Sequence, residues 1–278
     1  MKKEAAGLCS NWISKIMYCV NKRKRGDVEF FVFNNLENTG IIKHCFSTRK
    51  GGISTGYFSS LNLGYGRGDD DANVDENYRR ICGSASLTQK NIIMAKQRHG
   101  TNIYKVEEKR EIPDNTDGLM TNKSGIVLAT YYADCVPLLF CDPVKCVIAN
   151  SHAGWRGSVQ NMAAKTVKEM SVHYGCDPKD ILAGIGPCIS GANFEVDEDV
   201  AVQFEKEFSE CVFPVNDRPG KFRINLQEAC KLSLLRSFVP EENIEITNCC
   251  TYSDEELFFS HRRNREERGS LAAFIELA

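Results

Sequence analysis

A single α+β domain, with mixed β-sheets covered by helices, is the fold class the sequence predicts, on three observations. Apolar runs of strand length recur along the chain, among them Val-Pro-Leu-Leu-Phe-Cys-Asp from Val136 and Lys-Cys-Val-Ile-Ala-Asn-Ser from Lys145. Segments with apolar residues at helical spacing are interspersed with them, neither alternating strictly nor segregated to one half. The third observation is scale. A chain of 278 residues, 42% hydrophobic and 26% charged, has ordinary globular composition and is long enough for one sizeable core.

The elements follow in order. Residues 1–26 have no clear periodicity and read as an amino-terminal extension, partly disordered, in which Lys22-Arg-Lys-Arg25 is a solvated basic arm; the folded domain is expected over 27–278. Glu29 to Phe33 and Ile41 to Phe46 read as strands, separated by an Asn-rich turn from Asn34 to Gly40. Val74, Tyr78 and Ile81 are four and three apart, which predicts a helix delivering the chain to a strand from Asn91 to Gln97. Arg98-His99-Gly100 comes next, then a polar region to Asp117-Gly118, and Gly125 to Tyr132 is the following strand, with the two quoted runs after it. Ser158 is placed to cap a helix whose apolar positions run from Val159 through Met162, Thr166 and Met170, with Gly175 as its stop. Ile181 to Ile185 reads as a buried strand ending in Gly186-Pro187. A second helix begins near Asp197, with Val200, Phe204 and Phe208 at intervals of four, and a third follows Asn225. Strands from Ile244 to Thr247 and from Leu271 to Ile275 complete the pattern, which contains no internal repeat or low-complexity tract.

Composition excludes several classes. A formal net charge of -2 provides no electrostatic footprint for nucleic acid. No window holds the roughly 20 apolar residues that a membrane-spanning helix needs. The chain has 13 cysteines, an odd number, and its basic run follows the weakly apolar stretch from Trp12 to Val20 rather than preceding it, the reverse of a signal peptide. A reduced, cytoplasmic protein is therefore expected, with most cysteines serving as small buried apolar side chains.

Chemistry concentrates at three places. His99, Cys135 and His152 each lie in a turn-like element beside a strand, with glycines at 100, 154 and 157 allowing close backbone approach. Two readings stand: Cys135 is a small core residue and His152 a satisfied loop histidine, or the three form a site. Imidazole nitrogen and thiolate sulfur suit zinc, and three protein ligands with an open fourth position characterise a catalytic centre. The separations, 36 residues from His99 to Cys135 and 17 from there to His152, match no close-spaced finger, and no Cys-x-x-Cys pair occurs. His152-Ala-Gly-Trp-Arg-Gly157 before a helix also suggests a backbone anion site to which Arg156 adds charge, the other reading being a tight turn anchored by Trp155. Arg49 follows a strand in Ser47-Thr-Arg-Lys-Gly-Gly52, where its planar fork could meet phosphate or carboxylate, or simply solvent. Phe258-Phe-Ser-His-Arg-Arg263 places two arginines after an apolar pair. His44, His173 and His261 have no comparable setting.

Together, Ser47-Thr-Arg-Lys-Gly-Gly-Ile-Ser54, Ser60-Leu-Asn-Leu-Gly64, Gln97-Arg-His-Gly100, Ala133-Asp-Cys-Val-Pro137, His152-Ala-Gly-Trp-Arg-Gly157, Gly186-Pro187 and Phe258-Phe-Ser-His-Arg-Arg263 occur in the order seen in one family. From about residue 27 to its end the chain resembles the laccase-domain proteins, also called multicopper polyphenol oxidoreductase or YfiH-like proteins, of the purine nucleoside phosphorylase type. The resemblance implies a fold related to cysteine hydrolases, and places the family's zinc ligands and catalytic centre on His99, Cys135 and His152. It implies phosphorolysis of adenosine, inosine and S-methyl-5′-thioadenosine, with adenosine deamination besides, by a monomer or homodimer. Phosphate binding is assigned to Arg49 and Arg263, with Arg156 a further substrate contact. Two departures from the family pattern, Arg98 and His261, are expected to touch substrate preference more than the metal.

Three other classes remain. Copper also suits these donors, and the family's laccase name reflects phenol oxidation, but the sequence has no His-x-His pairs of the kind that build a trinuclear copper cluster. A cysteine hydrolase or amidase, with Cys135 as nucleophile and His152 as base, would fit the editing of peptidoglycan precursors linked to YfiH-like relatives. The last is a purely structural zinc module.

Overall fold

A computed structural model of the chain describes residues 20–278. The elements in order are β1 (Val20–Arg25), β2 (Val28–Phe33), α1 (Asn34–Glu37), β3 (Ile42–Ser47), α2 (Asp71–Ala85), β4 (Ile92–Met94), β5 (Ile103–Lys105), β6 (Gly118–Thr121), β7 (Val127–Tyr132), β8 (Val136–Asp142) and β9 (Val147–Ala153). They continue with α3 (Trp155–Val159), α4 (Met162–Tyr174), β10 (Leu182–Ile185), β11 (Glu195–Asp197), α5 (Glu198–Phe208), β12 (Val212–Pro214), β13 (Lys221–Ile224), α6 (Leu226–Arg236), β14 (Ile244–Ile246), α7 (His261–Asn264) and β15 (Leu271–Leu277).

Two six-stranded sheets carry the fold, in the orders β1-β2-β3-β15-β7-β4 and β14-β10-β8-β9-β6-β5, and a small sheet β11-β13-β12 stands beside them. Each large sheet is mixed: β4 with β7, β5 with β6 and β10 with β14 pair parallel, while the remaining ladders are antiparallel. The α+β expectation therefore holds.

The layering explains the sequence pattern. Leu139, Cys141 and Ile148 of one sheet face Phe46, Leu128 and Ile275 of the other in a common core. The outer face of the first sheet, with Phe30, Val127 and Phe274, is covered by Val74, Tyr78 and Ile81 of α2. On the outer face of the second, Leu138, Phe140 and Ala149 meet Met162, Val167 and Met170 of α4, with α5 and α6 beside it. Central strands are thus buried on both faces, which is why β8 and β15 read as continuous apolar runs rather than alternating ones. Burying a side chain such as Phe274 or Ile275 contributes about 2 to 3 kcal/mol each. Asn150 of β9 ties the sheets together across this core, donating to the carbonyls of Leu128 at 3.0 Å and Ala273 at 2.9 Å.

Three local expectations are corrected. Lys22 to Arg25 are exposed, but they belong to a strand that pairs antiparallel with β2, so the sheet begins before Gly26; residues 1–19 lie outside the described residues. Asn34 to Glu37 form a short helical turn instead of a bare loop. The helix expected from Ser158 is two helices: α3 begins after Gly154 and ends at Val159, Asn161 adopts a left-handed φ of 60°, and α4 then runs to a left-handed Gly175. Ser158 lies inside α3, buried, and does not cap it. The polar region before Gly118 also conceals β5, and the small sheet escaped the periodicity because its strands are three and four residues long. Among the described residues no helix is long and apolar enough to cross a membrane.

Candidate active site

The chain crosses from one large sheet to the other between β7 and β8, and Ala133-Asp134-Cys135 is that crossing. The β8–β9 register sets Pro137 opposite His152 and Val136 opposite Ala153, so Cys135 comes alongside the end of β9. His99 arrives from the loop after β4. Gln97 docks this loop by pairing with β7 as a strand would: its amide donates to Tyr131 O at 2.9 Å and accepts from Tyr131 N at 2.7 Å.

One nitrogen from each imidazole and the Cys135 sulfur lie within 4.8 Å of one another, with His99 exposed, Cys135 half-buried and His152 buried. The two imidazole rings meet edge to face, centroids 5.0 Å apart. Gly154 leaves the space between them open. A Cβ there would fall 2.8 Å from His99 Cδ2, closer than side chains tolerate, and a tight 3.2 Å from Cys135 Sγ.

Asp117 organises this set, and sequence reasoning missed it. Its carboxylate accepts three successive backbone N–H groups, from Arg98 at 3.0 Å, His99 at 2.9 Å and Gly100 at 2.9 Å, and its Oδ1 also bonds His152 Nδ1 at 2.9 Å. His99 has a left-handed φ of 62°, unfavourable for a residue with a side chain, and these bonds hold it there. Because Nδ1 of His152 faces a carboxylate, it carries the proton and leaves Nε2 free, the arrangement that orients a ligating histidine. No residue type signals this role, since the bonds are to backbone.

The electrostatics agree. Burial pushes the Cys135 thiol up, but the adjoining His152 and His99 rings outweigh it and hold the thiol at about 6. Burial pushes His152 down, but the Cys135 charge and the Asp117 carboxylate outweigh it and raise His152 to about 9. Each of the two groups thus favours the charged form of the other. A thiolate and two imidazoles facing one space is a donor set that fits zinc or copper, and the exposed side of the set faces a cleft.

That cleft has two lobes, of about 510 Å³ and about 490 Å³. Tyr65, Met94, Tyr131 and Tyr132 wall the first; Trp155, Ile189, Phe194 and Leu226 wall the second. Arg67, His99, Ala133, Cys135 and Arg268 line both, so the lobes join at the His/Cys centre.

Residues 43–278 match the family described as multi-copper polyphenol oxidoreductase laccase. The chain belongs to that family. Within it, a Bacillus subtilis protein named purine nucleoside phosphorylase YlmD is 35% identical over 240 residues, 83% of this chain and 86% of that one. Purine nucleoside phosphorylase YfiH of Escherichia coli is 33% identical over 233 residues, 84% of this chain and 93% of that one. The crystal structure of YlmD from Geobacillus stearothermophilus superposes with a TM-score of 0.84 at 30% identity, covering 94% of this chain and 99% of that one.

Of the residues expected to serve this laccase-family site, His99, Cys135 and His152 come together as described, and Arg156 lines the second lobe, its guanidinium 4.3 Å above the Trp155 ring. The segment 152–157 expected to offer a backbone anion site leads into α3, a helix of five residues that begins after Gly154 with no side-chain cap. Arg49 and Arg263, the residues expected to bind phosphate, line neither lobe. Arg49 donates to the carbonyls of Ser59 at 2.7 Å and Glu255 at 3.0 Å and lies over the Phe259 ring. Arg263 donates to Thr251, Tyr252 and Phe258 carbonyls at 3.0, 2.7 and 2.6 Å. Their donors hold loops together. Of the two departures from the family pattern, His261 lines the second lobe and Arg98 lines neither.

Asp134 fixes the crossing itself. It accepts from Thr251 Oγ1 at 2.6 Å and Arg262 N at 2.8 Å, pinning the start of α7 beside Cys135.

Proposed function

We propose that the chain is a zinc-dependent purine nucleoside phosphorylase acting on adenosine, inosine and S-methyl-5′-thioadenosine, with adenosine deaminase activity. The observation that carries the reading is the open His99–Cys135–His152 set at the junction of two lobes, each within the range of small-molecule sites. The names of the Bacillus and Escherichia relatives supply the reaction class.

In phosphorolysis a phosphate oxygen bonds to C1′ of the ribose while the C1′–N9 bond breaks. Its electron pair leaves on the purine, which takes up the proton that the phosphate gives up, and ribose 1-phosphate remains. In deamination, water adds to C6 of adenosine and ammonia departs, leaving inosine. Bound zinc would supply Lewis acidity toward a substrate atom or lower the pKa of a water. The protein's own part is positional: Asp117 fixes the tautomer of His152 and the turn of His99, and the aromatic walls orient the nucleoside and exclude bulk water.

The test is product analysis. Protein of known metal content is incubated with adenosine, with and without phosphate. Adenine and ribose 1-phosphate should form only with phosphate, and inosine in either case; absence of phosphate-dependent base release would remove the reading.

A cysteine hydrolase is the second reading, favoured by the order Cys135, His152, Asp117, in which a thiolate is paired with a histidine oriented by a carboxylate. Turnover by metal-free protein would promote it.

A further inference from the structure

We propose that Arg268, with Arg67 beside it, binds inorganic phosphate at the junction of the two lobes, next to Cys135; the proposal rests on the phosphorolysis reading above. Arg268 is only 7% exposed, yet among the described residues its Nε has no hydrogen-bond partner, and the guanidinium donates from Nη1 to Gly269 O at 3.0 Å. Asp134, Glu266 and Cys135 act on it only through space, and no carboxylate among the described residues forms an ion pair with it; a buried guanidinium short of hydrogen-bonded partners is costly, and an anion received there would supply them. Burial and the adjacent Arg67 push the Arg268 pKa down to about 10, as expected where two cations share one space. Among the described residues Arg67 pairs with Glu266, at 3.8 Å and largely exposed, and most of its donors have no partner there.

The two arginines are brought together by built structure. Leu63 N donates to Ser270 O at 3.0 Å, and Ser270 N donates to Asn62 Oδ1 at 2.9 Å, so the segment carrying Arg67 is tied to the segment carrying Arg268. Gly64 closes the contact, because a Cβ there would fall 2.5 Å from Ser270 Oγ. Both arginines line both lobes, together with His99 and Cys135. A nucleoside laid across the junction, with base in one lobe and sugar in the other, would bring its glycosidic bond to these arginines, where the phosphate nucleophile is needed. Planar forks with free N–H groups match the oxygens of phosphate. The other arginines of the cleft are less available: Arg262 donates to the Glu195 carbonyl at 3.0 Å, and Arg156 is stacked on Trp155.

The test measures binding of inorganic phosphate to the full chain by ³¹P line broadening, alongside steady-state KM values for phosphate and for adenosine. Arg268→Gln should raise the phosphate Kd and KM by about tenfold or more, and Arg67→Gln by about threefold, with Arg268→Lys recovering part of the loss. Equilibrium binding of adenosine without phosphate should stay within about twofold of the parent. If Arg268→Gln proves too unstable to assay, the exposed Arg67→Gln carries the same comparison. Unchanged phosphate affinity in both Gln variants, or equal weakening of adenosine binding, would overturn the proposal. A parent protein that binds phosphate through these arginines and makes no ribose 1-phosphate would leave the anion site standing and remove phosphorolysis instead.

Discussion

Two regions of this molecule hold similar polar groups in opposite states. Around the β3 end, Arg49 and Arg263 give their donors to backbone carbonyls, and buried His44 accepts the Phe33 N–H at 2.8 Å. At the cleft, Arg268 has an Nε without a partner among the described residues, and Cys135 and His152 each favour the other's charged form. Groups whose partners are all inside the protein serve the fold. Groups left short of partners beside a cavity are the ones available to a ligand. Residue type does not separate the two cases; the partner inventory does.

The contrast can be broken at several points. Asp117→Asn weakens the carboxylate that holds His152 and the 98–100 turn, and metal affinity or kcat/KM should fall by roughly 10- to 100-fold, read by zinc retention against a competing chelator and by product formation. Wild-type retention would make Asp117 a bystander. Arg263→Ala should act on stability instead, lowering ΔG of unfolding by about 2 to 3 kcal/mol in a urea titration with the phosphate KM unchanged. A raised phosphate KM with normal stability would reverse the assignment of the two arginine pairs. Arg49→Ala should follow the same pattern more weakly, at about 1 to 2 kcal/mol, because Arg49 makes fewer carbonyl bonds.

The smallest effect is a pH dependence at His44. Burial lowers its pKa from 6.5 to about 4, so the folded protein holds it neutral. Its contribution to stability is therefore fully present above about pH 6.5 and is lost as pH falls toward 4, with a slope approaching 1.4 kcal/mol per pH unit. His44→Gln retains an acceptor for Phe33 N–H but does not titrate. Its melting temperature should fall less steeply between pH 6.5 and 4 than the parent's, and parallel curves would show that other groups govern that range.

Much of this was legible in the sequence, for identifiable reasons. The long strands announce themselves because β8, β9 and β15 are buried on both faces, and the His99, Cys135 and His152 motifs stand out because glycine and reactive side chains cluster at strand ends. Asp117 was invisible because its partners are backbone N–H groups, which any sequence supplies. Arg67 and Arg268 were invisible because a charge in a loop normally meets solvent, and only the tertiary contacts of Gly64 and Ser270 bring them to the cleft. Arg49 and Arg263 drew attention for the opposite reason, since a motif rich in glycine and arginine marks a tightly bonded loop as readily as an anion site. The helix expected from Ser158 looked continuous because Val159 and Met162 fit one face; the break needs Asn161 in a left-handed conformation, which asparagine tolerates but does not require.

The central claim is that His99, Cys135 and His152 hold one metal ion on which turnover depends. The most direct measurement removes metal with a chelator, assays adenosine with phosphate, and then restores zinc with or without prior alkylation of Cys135. The account predicts that activity disappears with the metal, returns with zinc, and fails to return once Cys135 has been alkylated in the metal-free interval. Full turnover by rigorously metal-free protein would contradict it.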